Sequence, residues 1–187
     1  MENKNLNIHI IIQARTGSTR LPRKVMKKLE DKIVLQHVVD RLKLSKYASD
    51  IIICTTQKKE DDVISDFCLT NKINIYRGSE FNVLERYYET AQYYKSDIIV
   101  RVTSDCPLID VSYIDMMIDH FLKSDLQYLG PKYYGNHCFP DGFNGEVFWF
   151  DILEEAHLNA NHNEKEHVTT YMIKKYKKEE FNYPILY

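Results

Sequence analysis

The chain alternates short apolar runs with stretches in which apolar residues recur every three or four positions. Ile8–Ile12 is short, β-branched and almost free of polar residues, the pattern of a parallel strand buried on both faces. Val34–Leu44 follows, with Val34, Leu35, Val38, Val39 and Leu42 on one helical face. Ile51–Cys54 reads as a second strand, Asp61–Thr70 as a second helix and Ile73–Tyr76 as a short third strand. Val83–Tyr94 is expected to be a helix, with Leu84, Tyr87, Tyr88 and Ala91 on its apolar side. Asp97–Thr103 carries a fourth strand, and Ser112–Leu122 a further helix. Strand and helix in repeated alternation imply an α/β fold with a parallel sheet covered on both faces.

Beyond Leu126–Leu129 the pattern changes. Pro140, Gly142 and Gly145 precede Val147–Phe150, which reads as a turn and an antiparallel edge strand. Helical stretches are expected at 151–160 and 166–178, with Lys174–Lys178 and Glu179–Glu180 as a solvated helix end. Phe181–Tyr187 is apolar and aromatic, and is expected to pack as an edge element rather than remain in water.

A length of 187 residues with 44% hydrophobic content suits one domain with an ample core. A net charge of −2 leaves no basic excess for a nucleic-acid polymer. Cys54, Cys68, Cys106 and Cys138 are far apart, without zinc-finger spacing, and read as reduced thiols. No segment has a signal-peptide layout and no apolar run approaches the ~18 residues of a membrane span. The expectation is a soluble, cytoplasmic protein without a membrane partner.

The cations that exist are gathered in one place. Residues 13–24 read Q-A-R-T-G-S-T-R-L-P-R-K, directly after the first strand, and no acid appears until Glu30. Small residues let backbone N–H groups approach oxygens, and Arg15, Arg20, Arg23 and Lys24 neutralise charge, which is what a polyphosphate requires. Ligands in open α/β sheets bind beyond the carboxyl ends of the strands. Two more segments fall there: R-G-S-E at 77–80 and S-D-C-P-L-I-D at 104–110. Asp105 is the sharpest residue. It either holds a divalent cation, since Mg²⁺ takes one or two carboxylates plus phosphate oxygens, or caps its own turn. Asp110 reads as the cap of the next helix. Arg101 is left between a phosphate contact and a core ion pair. Arg77, Ser79 and Arg86 could approach a base or ribose, though for Arg86, on a helix, an ion pair with Glu85 or Glu89 is the safer reading. Glu60, Asp61 and Asp62 read as residues that favour a helix N-terminus and no more. His37 reads as structural. His157, His162 and His167, spaced by five, do not share a helical face and are not read as a metal site.

With these segments in view, the sequence resembles the SpsF-like cytidylyltransferases, within the group that contains CMP-Kdo synthetases and acylneuraminate cytidylyltransferases. The resemblance rests on residues 13–24, R-G-S-E-F-N-V-L-E-R-Y-Y (77–88), R-V-T-S-D-C-P-L-I-D (101–110), P-D-G-F-N-G-E-V-F (140–148) and E-H-V-T-T-Y (166–171). It implies a GT-A-like nucleotidyltransferase fold, a mainly parallel Rossmann-like sheet with helices on both faces. The implied reaction joins the CMP part of CTP to an acidic sugar, phosphate or phosphonate for surface-glycan biosynthesis, with Mg²⁺ and with release of pyrophosphate. By that resemblance Arg15, Arg20 and Lys24 are triphosphate-binding cations, with Ala14, Gly17, Ser18, Thr19 and Ser104 beside the nucleotide. Asp105 matches the metal carboxylate, and Arg77 and Ser79 lie where relatives contact the nucleotide. Arg101, Asp141, Glu146 and His167 fall on the acceptor side. A homodimer remains an open expectation.

The sequence departs from the pattern at Arg23, where Gly is usual, at Asn144–Gly145, where Asp-Val is usual, and at Lys165, where Arg is usual. Relatives continue to a T-x-D-T-P-E-D-like segment with a second metal ligand; the chain stops before it, and slow turnover is therefore expected. Two other readings stay open at this point: a glycosyltransferase using a nucleotide sugar, and a nucleotide-binding subunit without catalysis.

Overall fold

The computed structural model describes residues 6–18, 20–131 and 145–181. β1 (Ile8–Gln13) leads through a cation-bearing loop into a small hairpin, β2 (Lys28–Leu29) with β3 (Lys32–Ile33), and then α1 (Val34–Leu42). β4 (Asp50–Thr56), α2 (Asp62–Thr70), β5 (Asn74–Gly78), α3 (Val83–Tyr93), β6 (Ile98–Thr103) and α4 (Val111–Leu122) follow in the expected alternation. The last part comprises β7 (Tyr128–Pro131), β8 (Glu146–Trp149), α5 (Phe150–Asn159), α6 (Thr170–Tyr176) and β9 (Lys177–Phe181).

The main sheet has seven strands in the order β5-β4-β1-β6-β8-β7-β9. β5, β4, β1 and β6 are parallel neighbours, and β8 alone runs against its neighbours β6 and β7. Successive residues of β1 serve opposite faces, as a period of two requires. Ile8, Ile10 and Ile12 join the core under α1, α2 and α4, while Ile11 joins the core under α3, α5 and α6. The polar member of the strand, His9, is buried and its Nδ1 lies 2.7 Å from Ser96 Oγ. Asp110 Oδ1 accepts the Ser112 N–H at 2.9 Å and caps α4, as expected. His37 Nε2 meets the Leu29 carbonyl at 2.8 Å, tying α1 to the hairpin.

The structure corrects the sequence reading in its last third. β8 is not an edge strand: it is hydrogen-bonded on both sides, which its wholly apolar V-F-W run suits. The helix expected to 178 ends at Tyr176, and residues 177–181 form β9, parallel to β7 at the sheet edge. Phe181 packs on the rings of Tyr113 and His120, as an edge element should; residues 182–187 lie outside the described part.

Arg101 and Glu146 are also resolved. They face each other across β6 and β8 as an ion pair, and Tyr128 Oη donates to the second Glu146 oxygen. Burial opposes the Arg101 charge, but adjacent Glu146 outweighs it and holds the guanidinium pKa above its usual value. The Glu146 side chain is only 5% exposed, so the pair belongs to the core.

Removing one partner of a buried pair leaves the other charge uncompensated. Arg101→Ala is expected to lower the unfolding free energy by ~3 kcal/mol in urea titrations, and a loss under ~1 kcal/mol would show that Glu146 does not depend on it.

Candidate active site

The register of the sheet builds the site. Gln13 at the end of β1 pairs with Cys54 of β4 on one side and with Thr103 of β6 on the other. The loops after β1 and β6 therefore leave the sheet side by side at the carboxyl ends of these strands. Together with residues 80–83 and the segment 162–167, they enclose a cleft of about 960 Å³.

One wall is the loop after β1. Ala14, Arg15, Gly17, Ser18, Arg20 and Lys24 all line the cleft. Arg15 and Arg20 are exposed, so their charge is available to a ligand. Ser104 and Asp105 form the adjoining wall, and Lys24 Nζ makes an ion pair with Asp105 Oδ2 across the gap. Burial alone would raise the Asp105 carboxyl, but Lys24 and Thr103 outweigh it and keep its pKa below the ordinary carboxylate range. Asp105 is thus an ionised, half-open carboxylate directed at the cation-bearing loop.

The opposite wall holds His167, expected on the acceptor side, and also His162, Lys165 and Glu166, none of which the sequence had placed at the site. A short turn, His162–Glu164, presents them. It is closed by a reciprocal cap between Asn161 and Glu164, and Glu164 is pinned by Lys174 at 2.6 Å. The Lys165 carbonyl accepts the Leu84 N–H at 3.0 Å, which ties this wall to the start of α3.

Other expected residues go elsewhere. Thr19 and Asp141 lie outside the described residues. Arg77 does not line the cleft: its guanidinium donates to the Thr56 and Lys58 carbonyls and pairs with Asp62 at 2.7 Å. Ser79 accepts the Asn82 N–H at 3.1 Å and braces the turn before α3. Arg101 and Glu146 are consumed by each other, so the structure does not offer them to an acceptor. Arg86 makes no ion pair among the described residues; it is 2% exposed, donates to the Ser79 carbonyl and borders the cleft from below. The nearness of Glu85 and Glu89 in the chain was misleading because Arg86 faces inward.

A metal is testable against the donor set. Among the described residues no three His, Cys, Asp or Glu groups cluster as a metal site. A single open carboxylate beside a cationic loop nevertheless fits Mg²⁺, which commonly takes one or two carboxylates and completes its shell with phosphate oxygens and water.

A parallel sheet that opens such a cleft at its strand ends defines an α/β nucleotidyltransferase-type fold. The model of the cytidylyltransferase family matches residues 9–182, and the chain belongs to that family. It is 45% identical, over 87% of its length, to an uncharacterised protein of Methanocaldococcus jannaschii, and spans 65% of that protein. It is 33% identical, over 97% of its length, to the spore coat polysaccharide biosynthesis protein SpsF of Bacillus subtilis, and spans 72% of it. A cytidylyltransferase structure from Leptospira borgpetersenii superposes with a TM-score of 0.84 at 34% identity, covering 91% of this chain and 72% of that one. A CMP-2-keto-3-deoxy-manno-octonic acid synthetase, solved with CTP, shares the fold with a TM-score of 0.67 at 14% identity, over 90% of this chain and 85% of that one.

Arg23, where the resemblance led to an expectation of Gly, has a left-handed backbone with φ 56° and ψ 28°. A side chain there costs ~1–2 kcal/mol, partly offset by the greater entropy loss of Gly. Arg23→Gly is therefore expected to raise stability by ~0.5–1 kcal/mol in urea titrations. A destabilised variant would mean that the Arg23 side chain itself holds the loop.

Proposed function

We propose that the protein is a Mg²⁺-dependent cytidylyltransferase that joins CMP from CTP to an acidic sugar, phosphate or phosphonate and releases pyrophosphate, working in the cytoplasm on precursors of a surface glycan. The observation that carries this reading is the cation-bearing loop facing Asp105 across a nucleotide-sized cleft. Family membership supports the choice of cytidine.

In this reading Arg15, Arg20 and Lys24 bind the triphosphate, with backbone N–H groups near Gly17 and Ser18 adding donors. The acceptor enters beside His162, Lys165 and His167, whose N–H groups suit an anionic partner. Its oxygen attacks the α-phosphorus in line: the new O–P bond forms as the bond to the bridging oxygen of pyrophosphate breaks. The electron pair leaves with pyrophosphate, and Arg15 and Lys24 stabilise the charge gathering there. A sugar hydroxyl gives up its proton to solvent as it attacks, whereas an acceptor that is already a phosphate or phosphonate anion has no proton to lose. Asp105 would hold Mg²⁺ together with phosphate oxygens, and the ion when bound supplies further positive charge to the phosphates. Most of the rate then comes from orientation and electrostatics rather than from a side-chain nucleophile.

The lysine clasped to Asp105 must turn to the ligand, so its replacement separates binding from folding. CTP with Mg²⁺ is expected to raise the melting temperature more than ATP or GTP does, by the equivalent of ~2.7 kcal/mol at 100 times Kd. Lys24→Ala and Arg15→Ala should each weaken CTP binding by calorimetry with little change in stability, since both side chains are on the open loop. Equal thermal shifts for all nucleotides, or normal CTP binding by both variants, would overturn the assignment.

A further inference from the structure

Asp61 is buried, 1% exposed, yet it lines no part of the cleft and pairs with no cation among the described residues. A buried carboxylate is costly unless donors satisfy it. Three do. The Thr16 N–H and the Thr16 hydroxyl both donate to Oδ1 at 2.7 Å, and the Thr56 hydroxyl donates to Oδ2. Thr16 is itself only 4% exposed and does not line the cleft.

Thr16 is the pivot of the loop. Its carbonyl accepts the Ser18 N–H at 2.8 Å and the Arg23 N–H at 2.9 Å. One residue therefore gathers both arms of the segment that carries Arg15, Arg20 and Lys24. Behind Asp61, the turn after β4 is clamped by Arg77, which bonds the Thr56 carbonyl at 2.9 Å and the Lys58 carbonyl at 2.8 Å and pairs with Asp62. The chain of contacts runs from Arg77, through the turn and Asp61, to Thr16 and the loop.

We infer that Asp61 is the positioning residue of the phosphate-facing loop, acting through Thr16, with Arg77 backing it from outside the cleft. The role goes beyond the residues that touch a ligand, although its effect on CTP rests on the reading of the cleft given above. A carboxylate suits the position because it only accepts, and every group converging on it donates. A merely structural Asp61 would lower global stability without a selective effect on the loop.

The test uses the whole chain with two readouts, amide hydrogen exchange over residues 16–24 and CTP affinity by calorimetry with Mg²⁺. Thr16→Val keeps the shape and backbone donor but removes the hydroxyl. It is expected to speed exchange at Ser18 and Arg23 and weaken CTP about 10-fold, with the urea midpoint near that of the wild type. Asp61→Ala should do the same more strongly, whereas Asp61→Asn, which keeps an acceptor for Thr16, should stay within about 3-fold. Adding Thr16→Val to Asp61→Ala should change little, because the hydroxyl contact that Thr16→Val removes is one of the three that Asp61→Ala already removes. Should Asp61→Ala fail to fold, Thr16→Val decides the matter alone. Unchanged loop exchange in Thr16→Val would overturn the brace whatever happens to CTP. A loosened loop with undiminished CTP affinity would overturn its role in binding. Wild-type protein that binds no CTP would overturn the functional reading, with the exchange data still deciding the brace.

Discussion

Strand β1 is hydrogen-bonded on both edges, to β4 and β6, and nearly all of it is buried on both faces. The rest of the molecule follows from that constraint. A strand enclosed in this way has nowhere to place charge along its length, so the cations must come after it, where the chain leaves the sheet. β6 ends level with it, Thr103 beside Gln13, and its loop emerges beside that of β1. Lys24 and Asp105, 81 positions apart in the chain, meet for that reason.

The cleft is then organised by opposite charges at different depths. Arg15 and Arg20 stand open at the surface of the loop, Lys24 is clasped to Asp105, and Asp61 lies behind the loop, hidden from any ligand. Each acid has a distinct task because of its surroundings. Asp105 is half-open beside a cation and is suited to exchange that partner for a ligand. Asp61 is buried among donors of the protein itself, and suits a fixed support. Preorganised charge of this kind is what phosphoryl-type transfer draws on, since the chemistry demands little covalent help from the protein.

Much of this was legible in the sequence. The four parallel strands and the helices between them are visible in the periods of apolar residues, because β1, β4 and β6 are buried on both faces and each helix on one. The cationic loop is visible because its charges are unmixed with acids. His167 could be placed only through resemblance, and the structure brings it to the cleft. What escaped depends on partners distant in the chain. Nothing local distinguishes Asp61 from Glu60 or Asp62, yet of their three side chains it is that of Asp61 that reaches back to Thr16. Arg77 lies near the end of β5, where a site was expected, but the nearby turn captures its guanidinium. The apolar run of β8 fits an edge and an interior strand alike, and its place between β6 and β7 is settled by pairing, not by pattern.

The most direct measurement is a crystal structure of the protein with CTP and Mg²⁺. Triphosphate oxygens are expected within ~3 Å of the Arg15, Arg20 and Lys24 nitrogens, with the Lys24–Asp105 ion pair opened and Asp105 turned to the metal. A triphosphate bound away from the loop, or Lys24 still clasped to Asp105 beside a bound nucleotide, would contradict the assignment of the cleft.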